Sequence, residues 1–165
     1  MDELTGLHSR KQLEPLLALE IERAKHYGGW LGLMLLDIDN LKSLNSDFGY
    51  KAGDSVIKVF ADEAKREARA FDLVARFGGD EFIIVMPHVT EQSARTMAEN
   101  LRASIEGLSI PISDLNGSNR IIKVTFSAGV AMYPADAKTP EDLIRSAANT
   151  LELAKQSRNT ILFAT

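Results

Sequence analysis

The stretch Arg76-Phe77-Gly78-Gly79-Asp80-Glu81-Phe82 decides how this chain is expected to fold. Apolar residues lead into it over Leu73–Ala75 and out of it over Phe82–Met86, which predicts two buried strands joined by a hairpin. We expect the two glycines to supply the positive φ angles of a tight turn and to let the backbone approach a ligand. The two carboxylates that follow them are costly to bury without a cation. The stretch therefore predicts a metal site.

The composition is that of one soluble globular domain spanning residues 1–165, with 45% hydrophobic and 25% charged residues. A net charge of −4 argues against a broad nucleic-acid-binding face. Because the chain has no cysteine, disulfides and thiolate metal sites are excluded. No apolar run approaches the roughly 20 residues that span a membrane. We expect a cytoplasmic domain without membrane contact of its own, taken from a longer protein, and membrane attachment of that longer protein is compatible with this expectation.

Helical and strand-like patterns alternate along the chain. Ser9 and Gln12 have capping-box spacing and predict a helix that ends at Gly28-Gly29 and starts late or kinks at Pro15. A strand over Trp30–Leu36 follows.

The second half of the chain continues this alternation. The further predicted elements are a helix capped by Asp54 or Ser55, a helix from Thr90, strands over Ile110–Ile112 and Ile121–Met132, a helix from Thr139 that reaches Lys155 and Arg158, and a strand over Thr160–Phe163. Adjacent hairpins occur among the helices, so we predict an α/β (α+β) fold with a central mixed, largely antiparallel sheet flanked by helices. No phosphate-loop or dinucleotide-binding motif is present.

Acidic residues stand at two strand ends, Asp37 after the first long strand and Asp80-Glu81 at the hairpin. If these strands are neighbours, the acids meet and form a site for a hard cation such as Mg²⁺. Such an ion assists displacement at phosphorus, and Lys42, Lys155 and Arg158 would neutralise the rest of a triphosphate. The alternative is that each acid is a solvated turn residue.

These residues together resemble the GGDEF family of diguanylate cyclases, and the resemblance covers nearly the whole chain. It rests on the opening Asp2–Leu7, the segment Asp37–Asp54 and the hairpin Arg76–Phe82. It implies the nucleotidyl cyclase or polymerase palm architecture, and condensation of two GTP molecules into cyclic di-GMP with release of two pyrophosphates. It also implies Mg²⁺ or Mn²⁺ as cofactor and a homodimer, because each domain would bind one GTP.

The resemblance implies roles for individual residues. Asp37, the Ile38 carbonyl and Asp80 would hold the metal, and Glu81 would assist at the metal or at the attacking 3′-hydroxyl. The substrate contacts would be Asn45 and Asp54 at the guanine edge, the Gly78-Gly79 backbone along the nucleotide, and Lys42, Lys155 and Arg158 at the phosphates. A carboxylate accepts from the guanine N1 and N2 hydrogens, which adenine does not offer, so Asp54 favours GTP.

The segment Arg69-Ala70-Phe71-Asp72 matches the inhibitory R-x-x-D site of the family. A guanidinium suits phosphate or a guanine edge and a carboxylate suits guanine hydrogens, so the two ends of this segment would bind the product cyclic di-GMP. The alternative is an Arg and an Asp in a solvated turn at a helix end.

The last helix departs from the family pattern. Ala148 and Glu152 replace an Asp and a Tyr, and one residue is missing before Arg158, which displaces that side chain by one position. An active cyclase is the leading hypothesis, and a catalytically weak module that binds GTP or cyclic di-GMP is the second. A cyclase that makes mixed purine dinucleotides is the third, and Asp54 argues against it.

Overall fold

A six-stranded sheet forms the centre of the computed structural model, which describes residues 1–165. In chain order the elements are β1 (His8–Ser9), α1 (Arg10–Tyr27), β2 (Leu31–Ile38), α2 (Leu41–Phe48), α3 (Tyr50–Glu67), β3 (Leu73–Arg76), β4 (Glu81–Pro87), α4 (Glu91–Glu106), β5 (Ile110–Ser113), β6 (Asn119–Ile122), β7 (Phe126–Tyr133), α5 (Pro140–Ala154) and β8 (Ile161–Phe163). The strand order in the sheet is β1-β3-β4-β2-β7-β8, and β5 pairs with β6 in a separate ribbon.

The sheet is mixed and largely antiparallel, as predicted. The central strand β2 pairs antiparallel with both β4 and β7, and β3 pairs antiparallel with β4. The edge strands β1 and β8 pair in parallel with β3 and β7. Because β2 is buried along its whole length, it reads as a continuous apolar run until the acidic residue near its end.

Helices cover both faces of the sheet, and residues of β2 alternate between the two layers. Met34 and Leu36 pack with α3 and α4, whereas Leu33 and Leu35 pack with α1 and α5. Helix α5 lies directly on β7, since a Cβ at Gly129 would stand 2.2 Å from the carbonyl oxygen of Ala147. This close approach fixes the helix that ends beside the acidic end of β2.

Several predicted boundaries are confirmed. Ser9 and Gln12 form the capping box of α1, and Thr90 and Thr139 cap α4 and α5 through side-chain oxygens that accept backbone N–H groups. Helix α1 begins directly after its cap and continues through Pro15, so the prediction of a late start is wrong. The predicted first long strand extends two residues further and ends at Ile38.

Three other predictions of extent are wrong. Helix α3 begins at Tyr50 and its N-terminal cap is Gly49 rather than Asp54 or Ser55, because Gly49, with a φ of 95°, separates it from α2. The run Ile121–Met132 is two strands, since β6 belongs to the ribbon and β7 to the main sheet. Helix α5 ends at Ala154, so Arg158 lies beyond it.

Every helix is too short or too polar to cross a lipid bilayer.

Candidate active site

The sheet brings the two predicted acidic clusters together. Asp37 near the end of β2 lies directly opposite Glu81 at the start of β4, and the Ile38 amide donates to the Asp80 carbonyl at 3.1 Å. Residues opposite each other in an antiparallel pair share one face of the sheet. The prediction that these strands are neighbours is therefore confirmed. The predicted metal residues lie together where β2 ends and β4 begins, which we call the acidic edge.

The Asp37 carboxylate is buried and incompletely satisfied. Its Oδ2 lies 2.5 Å from the ammonium of Lys155, whereas its Oδ1 has no hydrogen-bond partner. Burial raises the pKa of Asp37 to about 7; the ammonium of Lys155 opposes this rise, and the neighbouring Asp80 carboxyl adds to it. Although burial opposes the shift, the Asp37 carboxylate raises the pKa of Lys155. One ammonium is thus too little positive charge for this pair of acids.

The donors at this edge fit a hard divalent cation. No three His, Cys, Asp or Glu side chains are grouped closely enough to hold a metal ion by themselves. Mg²⁺ does not need such a cage, because it is usually held by one or two carboxylates and completed by water and substrate phosphates. The partnerless Oδ1 of Asp37, with Asp80 beside it, supplies that smaller set of oxygens.

The Gly78-Gly79 turn is built differently from the prediction. Neither glycine has a positive φ, so the expected left-handed turn is wrong. The amides of Phe77 and Gly78 instead both donate to the Glu81 carbonyl, at 2.8 and 3.2 Å. A Cβ at Gly78 would lie 2.8 Å from Oε1 of Glu81. A side chain at Gly78 would therefore displace the Glu81 carboxylate, which lies over the glycine.

The α2–α3 corner carries the predicted guanine-reading residues. Asn45 on α2 packs against Gly53 on α3, where a Cβ would stand 1.7 Å from the Asn45 Oδ1. That oxygen is buried without a hydrogen-bond partner, the only such side-chain atom besides Asp37 Oδ1. Asp54 follows in the second turn of α3 and is exposed. The two predicted base readers thus stand on adjoining helices.

The three predicted phosphate-binding cations differ in their surroundings. Lys155, directly after α5, pairs with Asp37 and more weakly with Glu152, at 3.5 Å. Lys42 in the first turn of α2 and Arg158 beyond α5 are exposed, and neither forms an ion pair within the chain. Their charges are available to an anion.

Arg69 and Asp72 lie at the other end of the sheet, between α3 and β3. The Asp72 side chain is fully buried, and it accepts from the Arg69 backbone amide at 2.8 Å and from its Nε and Nη2 at 3.0 and 2.8 Å. Nη2 also donates to the Pro87 carbonyl at 2.7 Å. Both hydrogens on Nη1 remain for another acceptor, beside a cleft of about 300 Å³. The pair thus forms a hydrogen-bonded turn whose Arg69 side chain is 40% exposed.

Asp39, two residues after Asp37, is a further polar residue beside the site to which no sequence pattern gave a role. The residue is 9% exposed, and its carboxylate accepts from the hydroxyls of Thr125 and Ser127 at 2.7 and 2.8 Å and from the backbone N–H of Asn159 at 2.9 Å. A second acid so close to a buried strand end was the only signal in the sequence. Its partners come from distant parts of the chain.

Comparison with known proteins gives the family. The sequence model described as "Diguanylate cyclase, GGDEF domain" matches residues 1–160. The chain belongs to the GGDEF family. The response regulator PleD of Caulobacter vibrioides is 35% identical to this GGDEF domain over 98% of the chain and 35% of PleD. Cyclic di-GMP phosphodiesterase NbdA of Pseudomonas aeruginosa is 31% identical over 98% of the chain and 20% of NbdA. The domain thus spans about a third or less of these relatives.

Solved structures confirm the fold of the GGDEF domain. The GGDEF domain of TpbB from Pseudomonas aeruginosa superposes with a TM-score of 0.91 at 32% identity, over 99% of this chain and 94% of that one. The GGDEF domain of DgcB from Caulobacter crescentus, in complex with cyclic di-GMP, gives 0.90 at 27% identity, over 99% and 92%. The predicted cyclase-palm architecture is therefore confirmed.

Proposed function

We propose that this domain is a diguanylate cyclase, which condenses two GTP molecules into cyclic di-GMP and releases two pyrophosphates. One observation carries the proposal: the two buried side-chain oxygens without partners are Asp37 Oδ1 at the acidic edge and Asn45 Oδ1 at the α2–α3 corner. Buried polar atoms are nearly always hydrogen-bonded, so an orphaned pair suggests that a ligand completes them. Asp37 Oδ1 lies where the divalent cation is expected, and Asn45 Oδ1 lies where the guanine base is expected.

The acidic edge would hold the divalent cation, Mg²⁺ or Mn²⁺. Asp37, the Ile38 carbonyl and Asp80 are its proposed ligands. A bound cation would neutralise the phosphates and polarise the phosphoryl oxygens. Glu81 stands opposite Asp37 and would contact the metal or accept the proton of the attacking 3′-hydroxyl.

The α2–α3 corner would recognise the guanine. The exposed carboxylate of Asp54 would accept from the N1 and N2 hydrogens, and the side-chain oxygen of Asn45 would accept a further base hydrogen. The backbone of Gly78-Gly79 would lie along the nucleotide. Because adenine offers no such pair of donors, the corner favours GTP over ATP, and product analysis with both nucleotides would reveal any mixed dinucleotide.

The phosphates would be met by Lys42, Lys155 and Arg158. Lys42 and Arg158 carry unpaired charges, and Lys155 can exchange part of its contact with Asp37 for phosphate once a divalent cation neutralises that acid. Lys42 is also counted among the catalytic residues, since charge develops on the leaving pyrophosphate.

Each domain would hold one GTP, so two domains must face each other and the active form would be a homodimer. Cyclic di-GMP would bind in turn at Arg69 and Asp72, through the free Nη1 hydrogens and the adjoining cleft, and inhibit synthesis. We also propose that the domain is one part of a longer cytoplasmic signalling protein, since GTP is an intracellular substrate and the relatives are longer.

The test is synthesis of cyclic di-GMP from GTP and Mg²⁺. The parent protein should form product, and Asp80→Ala should abolish it. Asp142→Ala, which removes an exposed acid in the first turn of α5, is the matched control and should leave synthesis unchanged. Absence of product from the parent at high protein concentration would overturn the proposal.

A second function is favoured by the altered turn after α5. One residue is missing before Arg158 relative to the family pattern, and a relative of similar identity is named a phosphodiesterase. On this reading the domain binds GTP or cyclic di-GMP as a sensing module with little synthesis. Calorimetry with GTP decides between the two functions, because uptake of GTP without turnover supports the module and turnover supports the cyclase.

A further inference from the structure

A buried carboxylate joins three segments beside the candidate active site. Asp39 follows the end of β2 and accepts from the hydroxyls of Thr125, just before β7, and Ser127, in β7, and from the backbone N–H of Asn159 after α5. The Asp39 amide also donates to the Thr125 carbonyl at 2.9 Å. Burying a carboxylate costs free energy unless donors surround it, and here three donors do. The group therefore ties the turn after α5 to the acidic strand.

The turn that Asp39 holds is strained. Arg158 and Asn159 both have left-handed backbones, with φ angles of 61° and 46°. Such conformations cost about 1 kcal/mol or more for a residue with a Cβ, and they persist only where surrounding contacts enforce them. Asn159 has such contacts. Its side-chain oxygen accepts from Arg102 of α4 at 3.1 Å and its side-chain nitrogen donates to Glu106, while its backbone N–H donates to Asp39.

The same turn carries the cations of the site. Lys155 caps the end of α5 and reaches Asp37, and Arg158 stands three residues later with no ion-pair partner. The turn begins at Lys155, whose ammonium contacts Asp37 near the end of β2. It ends at Asn159, whose backbone N–H donates to Asp39, two residues after Asp37. The short segment between them is thus fixed at both ends against β2.

We propose that Asp39 is a positioning residue: by holding Asn159 it sets the turn 155–159 against the end of β2, so that Lys155 and Arg158 face the phosphates of the nucleotide. This inference rests on the proposed function, since the phosphates are taken from it. In this proposal Asp39 acts through Asn159, since its carboxylate oxygens are already bonded within the chain. Its removal therefore weakens the phosphate end of the site selectively and spares the guanine end, which α2 and α3 carry.

Two ligands test the phosphate end and the guanine end of the site separately. 3′-Deoxy-GTP keeps the triphosphate and lacks the attacking hydroxyl, so it binds without turnover, and GMP keeps the base and ribose with a single phosphate. Both are titrated by calorimetry into the parent, Asp39→Ala and Asn159→Ala. The control is Asp136→Ala, which removes a carboxylate that accepts from the Met132 amide at 2.7 Å, at the opposite end of β7. Thermal melts establish that each variant is folded.

We expect Asp39→Ala and Asn159→Ala each to weaken 3′-deoxy-GTP about tenfold, or roughly 1.4 kcal/mol, and GMP less than twofold, with the control unchanged for both. Equal weakening of the two ligands, or no weakening of either, would overturn the inference. If Asp39→Ala does not fold, Asp39→Asn decides in its place, because it keeps the size of the side chain and removes the negative charge that holds the Asn159 backbone N–H; the same selective loss of 3′-deoxy-GTP affinity is expected. Asn159→Ala keeps that backbone N–H and tests the turn from the side of α4, since it removes the side-chain contacts with Arg102 and Glu106. A parent that binds neither nucleotide would instead refute the proposed function, on which the inference rests.

Discussion

Replacing Gly53 with alanine tests the guanine end of the site without removing any polar group. The new Cβ would stand 1.7 Å from Oδ1 and 2.8 Å from Cγ of Asn45. Gly53 has no positive φ, so the backbone of α3 accepts alanine. The neighbour that must move is the end of a flexible side chain. The Asn45 amide is therefore expected to swing away from its present position while the helix stays in place.

The substitution should change stability and affinity in opposite directions. Alanine in a helix interior is about 0.5–1 kcal/mol more favourable than glycine. For a domain of this size that gain raises Tm by roughly 1–4 °C. Losing one hydrogen bond to the base costs about 0.5–1.5 kcal/mol, which weakens nucleotide binding roughly two- to thirteenfold. We therefore expect Gly53→Ala to melt at a higher temperature and to bind 3′-deoxy-GTP more weakly.

A double-mutant cycle assigns the effect to Asn45. Gly53→Ala, Asn45→Ala and the double variant are compared by thermal melting and by calorimetric titration with 3′-deoxy-GTP. In the Asn45→Ala background, Gly53→Ala should cause no further loss of affinity, because the displaced amide is already absent. Unchanged affinity in Gly53→Ala alone would refute the reasoning. A loss that persists in the double variant would show that the effect does not pass through Asn45.

Three further substitutions test other parts of the structure. Arg69→Ala should relieve inhibition by cyclic di-GMP and leave initial rates nearly unchanged, measured as initial rates with added product; equal inhibition in variant and parent would contradict the assignment. Gly129→Ala should lower the free energy of unfolding by about 1–3 kcal/mol in denaturant titration, since its Cβ would overlap backbone atoms of α5; no loss would mean that α5 shifts easily. Gly78→Ala should displace the Glu81 carboxylate and reduce kcat roughly 10- to 100-fold.

The meeting of the acids could be predicted because it depends on local patterns. Continuous apolar runs identified β2 and β4, and the acids mark where these apolar runs end. The alternation of strand side chains then places Asp37 and Glu81 on one face once the strands are paired. The helix caps at Ser9 and Thr139 could be read in the same way, because capping acts within three residues of the chain.

Features set by tertiary contacts could not be predicted in this way. Asp54 and Ser55 have strong capping preferences, yet α3 is capped by Gly49, which precedes both of them in the sequence. The apolar pattern of Ile121–Met132 does not show that its first part pairs in the β5–β6 ribbon and its second part in the main sheet. Asp39 takes its role from residues more than eighty positions away, so no local pattern reveals it.

Whether two of these domains together condense GTP into cyclic di-GMP is best tested by measuring synthesis as a function of protein concentration. GTP and Mg²⁺ are supplied in excess, and both cyclic di-GMP and pyrophosphate are measured for the parent and for Asp80→Ala. The account predicts two pyrophosphates for each cyclic di-GMP, a rate per domain that rises with concentration as two domains meet, and no product from Asp80→Ala. A parent that binds GTP and forms no product at any concentration would contradict it.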